Sequence, residues 1–234
     1  PADSRACYDV FVASVTDHPG STFAWSINNG TITSGEATHQ ITFTAGVTGN
    51  VELSVTESID DCISAAAEQS IPIVGPPLTV TATATANNRV LIEWSAASSA
   101  AGYEIVRTSV SAISIFGPTT ALSWEDTTAL PDTAYLYAVR SLDASNNPSN
   151  ASSPDLATTV IYGDDPLLAQ STPVRATHMN QLHTAISAVR VLAGLSPAFG
   201  DTVAAGNIVE AQHVTSFRTA LQEARQALAL SLLN

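Results

Sequence analysis

A chain of 234 residues, 45% hydrophobic and only 12% charged, is long enough for two or three small domains and is globular in composition. Its net charge of −13 offers no basic patch to replace counterions on phosphate, which excludes nucleic acid as an expected partner. All eight basic residues are arginine, so Schiff-base and P-loop lysine chemistry and lysine–asparagine cross-links are excluded, and trypsin-like proteases find few sites.

Residues 1–74 read as short strands. Apolar and β-branched runs fall at 8–15, 22–27, 40–44, 51–56 and 69–74. Asn28-Asn29-Gly30 is a turn signal between Trp25-Ser26-Ile27 and Thr31-Ile32-Thr33. Gly46, Gly49 and Asn50 mark another. Val51, Leu53 and Val55 alternate as on a half-buried strand, and Trp25 is expected in the core. Cys7 and Cys62 flank the strand set. An even cysteine count in a Thr/Ser-rich, lysine-free chain favours a disulfide and an oxidising compartment; the alternative is two buried free thiols. Such a bridge would close a loop of about 55 residues, worth roughly 4 kcal/mol. The string from Phe23 to Thr56, ending on Cys62, resembles the Ig-like or PKD-like domains of bacterial surface proteins.

Gly75-Pro76-Pro77 reads as a stiff hinge. Beyond it, Val90-Leu-Ile-Glu-Trp94, Gly102-Tyr-Glu-Ile-Val106 and Leu130-Pro-Asp-Thr-Ala-Tyr135-Leu-Tyr137-Ala-Val139 carry strand alternation with large aromatics. Residues 78–162 resemble the fibronectin type III domain over their whole length. The resemblance implies a β-sandwich with Trp94 in its core. It also implies Tyr135 as the tyrosine corner, bonding back to the chain just upstream, and Leu130 as the loop plug. That fold is a spacer or binding module far more often than an enzyme. The Arg-Gly-Asp adhesion motif is absent.

Residues 163–234 turn alanine-rich and repeat at an offset of 35: Val174/Val209, Ala176/Ala211, His178/His213, Thr184/Thr219, Ala185/Ala220 and Arg190/Arg225 are identical. Met179, Leu182, Ile186, Val189 and Ala193 form one helical stripe, and Val214, Phe217, Leu221, Ala224 and Leu228 its copy. Thr172-Pro173 suits the start of the first helix and Gly194 its end. The segment resembles short helical repeats at the C-termini of secreted bacterial proteins that also carry fibronectin type III domains. Glu210 departs from that pattern, standing where the first copy has Arg175.

Catalytic motifs are missing. His178 and His183 are five apart rather than four, and neither HExxH nor GxSxG occurs. His178 and His213 recur with the repeat, which fits a structural role at the helix starts; a shared metal is the alternative. Calcium at Asp60-Asp61 or Asp164-Asp165 has carboxylates near turns in its favour but no EF-hand signature. Asn29 and Asn150 begin glycosylation-type tripeptides. The longest apolar run, at Ala227–Leu230, is too short to span a bilayer. A secreted protein reads this way in its mature form, but Pro1 is an unusual residue to follow a signal-peptidase cut, which leaves other processing or a fragment of a longer chain as alternatives.

The expected architecture is mainly β, with an Ig-like sandwich over 1–74, a fibronectin type III sandwich over 78–162 and a helical segment over 163–234. No catalytic residue, metal site or cofactor is expected. The expected role is that of a secreted or cell-surface structural or interaction protein, a subunit of a surface assembly or fibre. Its partners would be copies of itself or another surface protein. Leu182, Ile186, Val189, Phe217, Leu221 and Ala224 are the docking candidates, because two isolated helices cannot bury their own stripes. The alternative is an ancillary spacer or carbohydrate-binding region of a longer secreted enzyme, which an exposed line of aromatics would favour.

Overall fold

The structure is a computed structural model. It describes the chain except residues 1–4, 7–9, 47, 48, 61, 167, 169, 170, 172, 201, 202, 205, 207 and 232–234, and the backbone alone of Arg5 and Ala6. The architecture is mainly β, two sandwiches followed by two helices.

The first sandwich holds β1 (Arg5–Ala6), β2 (Val10–Ser14), β3 (Thr22–Asn28), β4 (Gly30–Ser34), β5 (Gln40–Ala45), β6 (Gly49–Ile59), β7 (Cys62–Ile63) and β8 (Ala67–Val74). One sheet runs β1-β8-β6-β3, with β7 pairing β6, and the other runs β2-β5-β4. Period-two alternation turns Phe11, Ile41, Phe43, Val51 and Leu53 into the gap between the sheets. Each such buried side chain stabilises by about 1.5–3 kcal/mol. Trp25 packs against this core half-buried, its indole Nε1–H donating to the Thr38 carbonyl at 2.8 Å.

The turn signal at Asn28-Asn29-Gly30 does not make a hairpin. Asn29 sits at φ 56°, where its short polar side chain is tolerated, and the chain crosses there from one sheet to the other. Gly46 approaches that corner, and its amide donates to the Asn29 carbonyl at 2.8 Å.

The expected Cys7–Cys62 bridge fits this register poorly. Cys7 itself lies outside the described residues. Its neighbour Ala6 is opposite Val74, at the Gly49 end of β6, whereas Cys62 is opposite Ile59 at the other end. Ten residues of strand span roughly 33 Å, against the roughly 7 Å between Cα atoms that a disulfide allows. Cys62 is a free, exposed thiol. The expected hinge is also packed: Gly75 and Pro77 are buried.

The second sandwich holds β9 (Val80–Ala86), β10 (Arg89–Trp94), β11 (Gly102–Thr108), β12 (Ile113–Thr119), β13 (Ser123–Asp126), β14 (Ala134–Leu142) and β15 (Asp155–Thr158). Its sheets run β13-β10-β9 and β12-β11-β14-β15, sharing no strand with the first sandwich. Val90, Ile92, Trp94, Tyr103, Ile105, Tyr135, Tyr137 and Val139 fill the core. The Leu130 amide donates to the Tyr135 hydroxyl at 2.9 Å, closing a tyrosine corner. The plug is a correction: Leu130 is 64% exposed, and its neighbour Ala129 is the buried residue. With its amide committed to Tyr135, Leu130 turns its side chain outward.

The two helices are α1 (Ala176–Leu192) and α2 (Ala211–Ala227), each 17 residues long and offset by the repeat length. Thr172 lies outside the described residues, and α1 begins beyond Pro173, with Arg175 as its N-cap. Met179 and Ile186 cluster with Phe217 and Ala220; further along both helices, Val189 and Leu192 cluster with Ala224. The meeting points advance together, so the helices run in the same general direction. That second cluster includes Ala134, with Leu136 and Leu156 packed against it, so α1 is seated on the outer face of β14 and β15, and α2 packs on α1.

Candidate functional site

One side-chain amide bridges two backbone groups of the connector from β15 to α1. Gln181 Nε2–H donates to the Ile161 carbonyl at 3.1 Å, and Gln181 Oε1 accepts the Gly163 amide at 3.1 Å. Between connector and helix lies an open cleft of about 410 Å³ lined by Tyr162, Gly163, Asp164, Asp165, His178, Gln181 and Leu182. Burial pushes the Tyr162 phenol up; a hydrogen bond with Thr158 opposes the rise, and the Asp165 charge adds to it.

His178 is the one imidazole in this cleft, and both its nitrogens are engaged. Nδ1 accepts the Arg175 amide at 3.2 Å, so in the neutral ring the proton sits on Nε2 and is donated to Asp164 Oδ2 at 3.2 Å. A histidine–carboxylate pair in a cleft suggests acid–base chemistry, yet the nitrogen that would take a proton from a nucleophile is spent on the helix N-terminus. Asp164 also faces Arg175 at 3.5 Å. Among the described residues no group of three metal-ligating side chains occurs. His213 makes the same bond, accepting the Glu210 amide at 2.9 Å. The repeated histidines therefore stand at the N3 position of each helix and reach back to the N-cap amide, as Glu or Gln does in a capping box. His183, the unrepeated one, places Nε2 3.1 Å from the Phe199 carbonyl and stacks on the Phe199 ring at 4.5 Å.

The repeat extends to the helix ends. Arg190 Nε donates to the Ser196 carbonyl and Arg225 Nε to the Ser231 carbonyl, both at 2.7 Å. The Leu195 amide bonds the Arg190 carbonyl, and the Leu230 amide bonds that of Arg225, both at 2.8 Å. These are Schellman closures, with Gly194 at φ 72° in one and Ala229 at φ 54° in the other.

The docking candidates are mostly covered within the chain. Ile186, Val189, Phe217 and Ala224 are buried, Leu221 is half-buried, and Leu182 alone stays open, 41% exposed at the cleft. Ile186 and Phe217 pack within the helical segment beside Met179, Val203 and Ala220. Val189 and Ala224 share a cluster with Ala134 of the neighbouring sandwich, one of the two surfaces on which the stripe was expected to dock, the other being a second chain.

A buried polar knot is the feature that sequence reasoning missed. Asp126 is fully buried in the second sandwich; its Oδ2 accepts Arg107 Nη1–H at 2.7 Å and the Tyr137 hydroxyl at 2.8 Å. Its Oδ1 accepts the Thr128 amide at 2.8 Å and hydroxyl at 2.7 Å. Burial alone would raise the Asp126 carboxyl, but bonds from Thr128, Tyr137 and Arg107 outweigh it and hold the group below its ordinary value. Burial and the adjacent carboxylate push the Tyr137 phenol well up. The signal was present: Arg107 continues the alternation of Tyr103 and Ile105, and a core-facing arginine requires a carboxylate.

Every described aromatic side chain is buried or half-buried, so no exposed aromatic line runs across the described surface.

No family model matches the chain, and no curated protein matches it. Solved structures similar to it include FN3tt, at 24% identity and a TM-score of 0.33, covering 36% of this chain and 92% of that one. A Fn3-like protein from Clostridium thermocellum matches at 20% identity and a TM-score of 0.33, covering 36% and 90%. A two-domain fibronectin type III segment from chicken tenascin matches at 9% identity and a TM-score of 0.37, covering 67% and 95%. The fold assignment rests on the chain's own strand order and tyrosine corner.

Proposed function

We propose that this chain is a non-catalytic, secreted or cell-surface structural and interaction protein, in which the helical segment caps the second sandwich. The observation that carries this is the commitment of His178: the one imidazole in the cleft beside α1 is bonded on both nitrogens to structural partners. The two sandwiches and the helical pair spend their aromatics and apolar stripes on internal packing. That leaves surfaces suited to spacing and partner contact. The covered helical stripe moves the interaction role away from the helices and onto the strands. Treating intact producing cells with a broad-specificity protease tests the reading. The expected result is loss of the protein from the cell surface or its presence in the medium, while a cytoplasmic marker survives. Full protection on intact cells, with digestion only after lysis, overturns it.

A further inference from the structure

Strand β12 ends the four-stranded sheet and pairs only with β11. The phase of that ladder is fixed at its turn, where the Ser109 amide donates to the Ala112 carbonyl at 2.9 Å. Bonded pairs alternate from there, so Ser114 bonds towards Arg107, while the amides and carbonyls of Ile113 and Ile115 point away from the sheet. The same two residues carry exposed side chains, 68% and 53% accessible.

The other edges of this sandwich are guarded. On β9 the Ala82 amide is taken by Asp155 Oδ2 at 2.8 Å, β15 lies beside α1, and β13 is only four residues long. Residues 109–124 hold no charged side chain, so β12 lacks the usual device that keeps open edges apart. In a chain of net charge −13, two copies meeting here bring no like charges into contact.

We propose that β12 pairs with β12 of a second copy, antiparallel about a two-fold axis at Ser114. The ladder phase permits this register. Ser114 faces its mate as a non-bonded pair, and Ile113 faces the mate's Ile115 as a bonded pair, twice by symmetry. Outward groups meet outward groups, giving about four backbone hydrogen bonds and a shared isoleucine patch, the self-complementary arrangement of an isologous dimer. The inference supplies the partner for the interaction role above and rests on that reading for its context alone.

Sedimentation equilibrium of the full chain tests it. The average mass should rise from 24.2 kDa towards twice that as concentration increases. A short edge contact is a weak interface, so the rise should fall between about 5 and 500 µM. Added salt should strengthen association by screening the overall repulsion. Ile115→Lys should hold the protein monomeric. Ile115→Pro, which removes an outward amide and no ladder bond, should do the same, both with melting curves close to wild type. Ser114→Cys, made together with Cys7→Ser and Cys62→Ser, should cross-link under mild oxidation. A wild-type chain that stays monomeric throughout overturns the proposal, as does a dimer indifferent to both changes at Ile115. None of these failures bears on the cell-surface test.

Discussion

His213 Nδ1 accepts the backbone amide of Glu210 at 2.9 Å, and the same bond recurs 35 residues earlier between His178 and Arg175. The bond satisfies an amide that a helix start otherwise leaves open. His213→Ala should therefore destabilise the helical segment by about 0.5–2 kcal/mol, the usual worth of a lost cap. His213→Gln should restore most of it, because glutamine at this position also reaches back to the N-cap amide. Thermal unfolding followed at the helical circular dichroism band would show both effects. A glutamine variant no better than alanine would remove the capping role.

Ala229 occupies the left-handed position that Gly194 occupies in the first copy, at φ 54° against 72°. A Cβ is strained there and a glycine is not. Ala229→Gly is expected to stabilise α2 by up to about 1 kcal/mol, and Gly194→Ala to destabilise α1 by a similar amount. Opposite shifts in the two melting temperatures would establish the equivalence of the two closures; shifts of the same sign would break it.

The caps show how far the sequence could be read. Identity at a fixed offset exposed the repeat, and the resemblance to the fibronectin type III domain pointed to Tyr135, whose partner is five residues away. Leu130 was placed inward by the same resemblance, but it lies in the loop before Tyr135, where no ladder sets which side chain turns in, and Ala129 is the buried one. The direction of α2, the seat of α1 on β14 and β15, and the open phase of β12 depend on pairings distant in sequence. So does the separation of Cys62 from the chain start, which flanking positions in the sequence had suggested to be close. Cys62 should accordingly react with a maleimide in the native protein without reductant. An unreactive thiol that appears only after reduction would restore the bridge.

The Asp126 knot gives the stability profile two limbs. The carboxyl is held below its ordinary value, so its contribution is complete above the unfolded value of about 3.9 and is lost as pH falls through the lower folded one. The Tyr137 phenol is raised, so its contribution holds below the ordinary value of about 10 and declines as pH rises beyond it. Asp126→Asn leaves the Arg107 charge without its partner and should cost about 3–5 kcal/mol near neutrality. It should also flatten the acid limb. Chemical denaturation between about pH 1.5 and 7 would show this, and an acid limb of unchanged steepness in Asp126→Asn would place its origin elsewhere.

Val189 tests the seating of the helices. Its side chain is 2% exposed and clusters with Leu192, Ala224 and Ala134, the last of these on β14. Val191, two residues on, is 38% exposed on the same helix. An aspartate at 189 must either stay buried without a partner or pull the helix from the sheet, and the second is the cheaper outcome. Val189→Asp should thus lower the helical signal and open the segment beyond residue 163 to proteolysis. The sandwich should keep its own unfolding transition, because Trp94 and Tyr137 lie in the core on the other face of the sheet. Val191→Asp adds the same charge to the same helix and should change neither property. If both variants behave alike, the helices do not depend on the sandwich. If Val189→Asp unfolds the sandwich as well, then the helical pair belongs to that domain's core.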